Sequence, residues 1–117
     1  MTPKYDSNLR RMVNLKGVSI RPRDFGGFSS LAYIDVGKNI KYLEGALKYL
    51  EKLGHVPGKT FRSAGFDWRK APNELLRDGD FEKIKKLIEE TYELNGNTKV
   101  HIMSHRFVFF FFFFNFL

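Results

Sequence analysis

The stretch DFEKIKKLIEETYELNGNTKVHIM, Asp80 to Met103, decides the fold. Phe81, Ile84, Leu87, Ile88 and Tyr92 recur at three- and four-residue steps, the spacing of one buried helical stripe. Asp80 reads as the cap of that helix, and Asn95-Gly96 as its stop. Lys83, Lys85 and Lys86 alternate with Glu82, Glu89 and Glu90, as on a solvated helix face. Thr98 to Met103 then reads as a strand. A helix closed by a tight turn and followed at once by a strand is the second half of a βαβ unit.

Working outward, the first half of the unit lies upstream. Gly17-Val18-Ser19-Ile20-Arg21 is a short β-prone run ended by Pro22, and Arg23 to Gly37, with Gly26-Gly27, reads as a loop. Asn39 can cap a helix whose apolar face is Ile40, Leu43, Leu47, Leu50 and Leu53, stopped by Gly54. Lys59 to Ala64 reads as a weaker strand, and Phe66 to Asn73 as a proline-containing loop. The order strand-helix-strand-helix-strand predicts an α/β fold with a largely parallel sheet and right-handed crossovers. No internal repeat is present.

Composition bounds the function. At 117 residues the chain suits one small domain and cannot hold a large α/β enzyme whole. The formal charge of +7 raises nucleic-acid binding, but on the helices the lysines are interspersed with glutamates. The more basic N-terminal third lacks the interleaved aromatics of an RNA-binding sheet, so no nucleic-acid partner is expected. There is no cysteine, which excludes disulfides and cysteine catalysis within these residues. Met1 to Arg11 is polar and carries no signal-peptide core. His55, His101 and His105 show no metal-site spacing, and neither a metal nor a cofactor is expected.

The tail is of low complexity. Eight of the thirteen phenylalanines fall in residues 107–117, six of them consecutive from Phe109 to Phe114. The uninterrupted apolar run from Phe107 to Phe114 is well short of the roughly 20 residues that span a bilayer. The expected domains are therefore a polar N-terminal segment at 1–16, an α/β domain at 17–106 and a tail at 107–117 that is not native.

One block carries chemical information: Phe66-Asp67-Trp68-Arg69-Lys70-Ala71-Pro72-Asn73-Glu74. It resembles the Tyr-Asp-Trp-Arg-x-x-Pro signature of the lecithin:cholesterol acyltransferase family. Gly17-Val18-Ser19-Ile20-Arg21, Phe25-Gly26-Gly27, Tyr33-Ile34-Asp35, Ile88 to Tyr92 and Asn95-Gly96 are similar to further family segments, so the resemblance covers residues 17 to 105. It implies a partial α/β-hydrolase sheet. Read from the residues alone, Phe66, Asp67, Trp68, Arg69, Pro72 and Asn73 form a packed, hydrogen-bonded loop whose role is structural rather than catalytic.

The resemblance also locates the missing chemistry. In α/β-hydrolases the nucleophilic serine sits on a sharp turn after a strand, in G-x-S-x-G. The family form is Ala/Gly/Ser-His-Ser-Met/Leu-Gly. Ser104-His105 matches its first two residues, and Arg106 stands where the serine belongs. By this resemblance Ser104 is not the nucleophile, His105 is not the base, and the chain is truncated at the nucleophile elbow. An exon ending in AG and read through a GTTTGTTTT intron start would be translated Arg-Phe-Val-Phe, as Arg106 to Phe109 read.

The resemblance implies transfer of a fatty acyl group from a phospholipid to a lipid alcohol or water through a serine acyl-enzyme. It implies phospholipid and lipid-alcohol partners and contact with a membrane or lipoprotein surface. Family members are secreted, lysosomal or of the endoplasmic reticulum, which leaves the compartment open. The competing reading is a noncatalytic module that binds lipid or a partner.

Overall fold

The computed structural model describes residues 4–18, 21–33, 37, 39–67, 69–104 and 111–114. The chain begins with a hairpin of β1 (Lys4–Asp6) and β2 (Arg11–Val13), paired antiparallel with Tyr5 opposite Met12. Asp6 makes its turn: one carboxylate oxygen accepts from the backbone N–H groups of Asn8 and Leu9, at 2.9 and 3.0 Å. This hairpin lies within the segment expected to be only a polar lead.

The strand expected at residues 17–21 is not found among its described residues. Gly17 sits in a turn at φ +78°, and Val18 and Arg21 belong to no strand. Ser19 and Ile20 lie outside the described residues. The glycine pair a few residues on has the larger structural role: Gly26-Gly27 runs along the edge of a later strand. Gly26 N–H donates to the Ser63 carbonyl at 2.8 Å, and Ser63 N–H donates to the Gly27 carbonyl at 3.1 Å. Gly26 has φ +87°, and a Cβ there would stand 3.2 Å from a Leu87 methyl. Only glycine reaches this approach without strain.

Two helices come next, α1 (Ser29–Ala32) and α2 (Glu44–Lys52). The expected face of α2 is right at its centre and wrong at its ends. Leu43, Leu47 and Leu50 pack on Phe28, Leu31, Ala32 and Phe61, whereas Ile40 and Leu53 are exposed. Asn39 does not cap the helix; Leu43 does. The N–H groups of Tyr42 and Leu43 are bonded to the carbonyls of Ala32 and Leu31, so the backbone is committed to α1 until Glu44.

The weakly predicted strand is real and is the most buried of the elements whose burial is described. β3 (Phe61–Ala64) has Phe61, Ser63 and Ala64 at 1 %, 0 % and 0 % exposure. The loop beyond it ends sooner than expected, because Pro72 opens α3 (Pro72–Arg77). Proline is preorganised for the first helical position, and Glu74 at the third reaches back to the Ala71 N–H at 3.1 Å.

The helix read from residues 80–95 is α4 (Asp80–Leu94). Its cap is Gly79, in the left-handed region at φ +73°, and Asp80 is the first helical residue. Gly79 closes α3 and opens α4 at once, which moves the start by one position. Ile84 and Leu87 are buried against Ala64, with Phe81, Ile88 and Val100 packed around them. Tyr92 is exposed, and Thr91 takes the inner place, its hydroxyl donating to the Leu87 carbonyl at 2.6 Å. Asn95 stops the helix and ties it down, its amide donating to the carbonyls of Thr91 and Lys59.

β4 (His101–Ser104) and β5 (Phe111–Phe114) complete the described elements. The sheet order is β3-β5-β4, and β5 is antiparallel to both neighbours. The expected parallel sheet is corrected: β3 and β4 do run the same way, but an antiparallel phenylalanine strand lies between them. The architecture is mixed α/β with a small partial sheet. No helix among the described residues is long and apolar enough to cross a membrane.

Leu87 joins α4 to the strand beneath it. Leu87→Ala is expected to lower the unfolding free energy by about 2–5 kcal/mol in a denaturant titration. Tyr49→Ala, at an exposed site on α2, is expected to stay within about 0.5 kcal/mol of the parent.

Candidate functional site

The motif loop leaves the C-terminal end of β3. Phe66 is buried, and Asp67 and Arg69 close on one another. The Arg69 guanidinium donates from Nε to Asp67 Oδ1 at 2.7 Å and from Nη2 to Oδ2 at 2.6 Å. The Arg69 backbone N–H adds a third bond to Oδ1 at 3.2 Å. This is the fork-on-fork geometry in which arginine binds carboxylate most strongly. The hydrogen bonds from Arg69 hold the Asp67 carboxyl below its usual range, against the opposing effect of burial. Asp67 in turn raises the Arg69 guanidinium further. Pro72 and Asn73 lie in the first turn of α3, with Asn73 exposed. Trp68 lies outside the described residues.

Sequence reasoning missed the residue that anchors this loop. Glu74 is buried; one oxygen accepts the Ala71 N–H and the other accepts the Met12 N–H of β2 at 2.8 Å. A single carboxylate thus joins the motif loop to the N-terminal hairpin. The spacing Pro72-x-Glu74 is a helix-start pattern and was the available signal. Asp78 makes a second tie, paired with Arg11 at 3.5 Å and with Lys70.

Beside the loop is a cleft of about 530 Å³ with Phe25, Phe66 and Ile84 among its apolar lining. Asp67, Lys70 and Lys83 are among the charged groups at its walls. Among the described residues the lining offers carboxylates, ammonium groups and a guanidinium, but no serine, cysteine or histidine. These can bind or position a ligand, and they include no nucleophile–base pair. Among the described residues no cluster of histidine or carboxylate side chains could hold a metal.

The other candidate position lies at the end of β4. Ser104 is the last residue of that strand and is exposed. His105 and Arg106 lie outside the described residues. The register relates the two sites: Phe111 of β5 is the partner both of Ala64, at the end of β3, and of Ser104. With strands spaced by about 4.8 Å, Ala64 and Ser104 stand level and roughly 10 Å apart. The motif loop and the C-terminal end of β4 therefore lie at the same edge of the sheet. In open α/β sheets that edge, beyond the carboxyl ends of the strands, is where ligands bind.

Comparison with known proteins decides the family. The family pattern described as lecithin:cholesterol acyltransferase matches residues 1–116. The chain belongs to the lecithin:cholesterol acyltransferase family. It is similar to the phosphatidylcholine-sterol acyltransferase of Micromys minutus, 35% identical over 102 residues, 87% of this chain and 33% of that protein. The corresponding protein of Gallus gallus is 37% identical over 101 residues, 86% of this chain and 24% of that protein. The human lysosomal phospholipase A and acyltransferase is 33% identical over 112 residues, 92% of this chain and 27% of that protein. The chain thus spans about a quarter to a third of the length of these relatives. Acyltransferase and phospholipase chemistry of lipids is the family's business.

The Asp67–Arg69 pair sets a pH dependence. A carboxyl held below its usual pKa, about 3.9, adds stability that is fully present above that value. The contribution is lost as pH falls through the lower value of the folded state. Asp67→Asn is therefore expected to melt below the parent at pH 7, with the gap closing below about pH 4. Thermal melts of both proteins between pH 2 and 7 check this.

Proposed function

We propose that this chain is the segment of a lipid O-acyltransferase or phospholipase that carries the motif loop and the nucleophile strand, with the nucleophile itself replaced. The observation that carries the reading is the level placement of Ala64 and Ser104 at one edge of the sheet. It supports a reading in which the motif loop stands beside the position from which an α/β-hydrolase presents its serine. In this reading residues 17–106 are part of an α/β-hydrolase domain, β4 is its nucleophile strand, and Ser104-His105 opens the elbow.

The reaction of such an enzyme is acyl transfer. A serine hydroxyl attacks the phospholipid ester carbonyl while histidine takes its proton, and the lysophospholipid leaves with that proton, giving an acyl-serine. The hydroxyl of a lipid alcohol or of water then attacks the acyl-serine, and the serine oxygen recovers a proton. Backbone N–H groups hold the oxyanion at each stage. The motif residues Phe66, Asp67, Arg69 and Pro72 support the edge on which this happens rather than touching the reacting atoms.

Arg106 cannot take the serine's part. A guanidinium has only N–H donors and stays protonated at every physiological pH, so it offers no nucleophilic lone pair. No residue of the chain takes the role of triad acid or base. As written, the chain turns over no ester. We further propose that residues 107–117 are read from an unspliced intron, which accounts for Arg106 and the phenylalanines together. A noncatalytic reading, binding of lipid without turnover, draws on the cleft beside Phe66.

The test uses the full 117-residue chain with a fluorophosphonate probe, a phospholipid and a short-chain ester. No covalent labelling and no turnover above buffer are expected. Fluorophosphonate-sensitive hydrolysis or transfer would overturn the assignment of Arg106 to the nucleophile position. Retention on phospholipid vesicles with unchanged lipid composition would favour the binding reading.

A further inference from the structure

Asn95 ties three segments together. Its side-chain amide donates to the Lys59 carbonyl at 2.9 Å and to the Thr91 carbonyl at 2.7 Å. Its own carbonyl accepts the Thr98 hydroxyl at 2.8 Å. The end of α4, the residues before β3 and the residues before β4 therefore meet at one side chain and one peptide. The Thr91 carbonyl belongs to the last turn of α4, where carbonyls lack an intrahelical partner, so the amide supplies a bond that the helix end needs.

The residue after it is Gly96. Asparagine is a thermolabile residue, and a glycine behind it has no side chain to crowd the attack of its backbone nitrogen on the asparagine side chain. Asn95 is the one asparagine of the seven that precedes glycine; the others precede leucine, isoleucine, glutamate, threonine or phenylalanine. The space beside Gly96 is open: a Cβ there would meet nothing within 4 Å among the described residues. Two restraints oppose the attack in the folded chain. The Asn95 amide is turned to the Lys59 and Thr91 carbonyls, and the Gly96 N–H is bonded to the Glu93 carbonyl at 3.2 Å. Both lapse when the last turn of α4 opens. Leu94, Gly96 and Asn97 are exposed, and surface helix ends open at a fraction of the global unfolding free energy.

We infer that Asn95-Gly96 is a self-modification site, where asparagine deamidates when the turn after α4 opens, and that the product cannot re-form the tie. The Gly96 nitrogen bonds to Asn95 Cγ, the Cγ–Nδ2 bond breaks, and Nδ2 leaves as ammonia with the proton from the Gly96 amide. Water then adds to the cyclic imide and breaks one of its two C–N bonds, which gives aspartate or isoaspartate. The sum is asparagine plus water to a carboxylic acid plus ammonia, with no change of oxidation state. The product has lost both N–H donors, and its carboxylate, an acceptor only, meets two carbonyls. It adds a negative charge at the C-terminal end of α4, whose last turn has no basic residue and whose dipole opposes it. Isoaspartate also lengthens the backbone by one carbon between Thr91 and Thr98. The inference does not rest on the acyltransferase reading.

The test incubates the full 117-residue chain in neutral buffer and, in parallel, in guanidinium chloride, with peptide mapping by mass spectrometry over time. The readout is replacement of –NH2 by –OH at each asparagine. In denaturant Asn95 is expected to convert ahead of the other six, with isoaspartate among the products; another asparagine converting first overturns the inference. In buffer its conversion is expected to be slower by about tenfold or more, and equal rates in the two media overturn the control by the turn. Thr98→Val removes the hydroxyl bond to Asn95 and is expected to speed conversion in buffer by about threefold or more, with the rate in denaturant unchanged. No acceleration in buffer overturns the inference. Asn95→Asp reproduces one product and is expected to lower the melting midpoint at neutral pH by about 4 °C or more, or to abolish cooperative unfolding. Asn97→Asp adds the same charge two residues on and is expected to lower it by about 2 °C or less. Equal melting of Asn95→Asp and the parent overturns the loss of the tie.

Discussion

Burial of Phe61, Ser63 and Ala64 in β3 is the constraint on which the rest of the structure depends. Phe61 meets Phe28 edge to face, with ring centres 5.0 Å apart, and carries the cluster built from α1 and α2. Ala64 carries the cluster built from α4. Ser63 is bonded to Gly27 on one edge, and β5 lies on the other. Residues as small as Ser63 and Ala64 let two helical layers and two backbone segments converge on one short strand. A larger residue at either position would force them apart, which is how close-packed interiors respond to added volume.

The site inherits its geometry from that strand. The motif loop begins where β3 ends, and its first act is to bind itself: Arg69 clamps Asp67, and Glu74 clamps the start of α3 to the hairpin. These carboxylates are committed to structure, with their lone pairs engaged. Acid–base catalysis needs a group free to exchange a proton with substrate. In the proposed reading the loop is a shoulder that supports chemistry rather than a participant in it. The family relationship indicates the kind of chemistry, and our proposal that this chain does not perform it rests on the arginine after Ser104-His105.

Much of this was legible from residues alone. The stripe of α4 is long and strictly periodic, and Ile84 and Leu87 stand where the periodicity puts them. The central leucines of α2 were equally legible, and so was the family from the motif block. Other features were not. Ile40, Leu53 and Tyr92 fit the apolar pattern yet are exposed, because periodicity does not reveal where the backbone is already bonded to something else. The run at 17–21 has strand composition but no strand in its described residues, and the edge of β3 is taken by the glycine turn instead. The three-residue strands of the hairpin are too short and polar to announce themselves. Nothing in a run of identical phenylalanines specifies a partner, so the pairing of β5 with two strands at once could not be read.

The central claim is that Arg106 occupies the place of the family's serine on an otherwise family-typical strand. The sequence of the mature transcript across codon 106, set against the genomic sequence, tests it most directly. The account predicts spliced messages in which the codons for Ser104-His105 are followed by a completed serine codon and then by Met-Gly or Leu-Gly. Mature messages that read only Arg-Phe-Val-Phe at this point, with no downstream exon able to complete the serine codon, would contradict it.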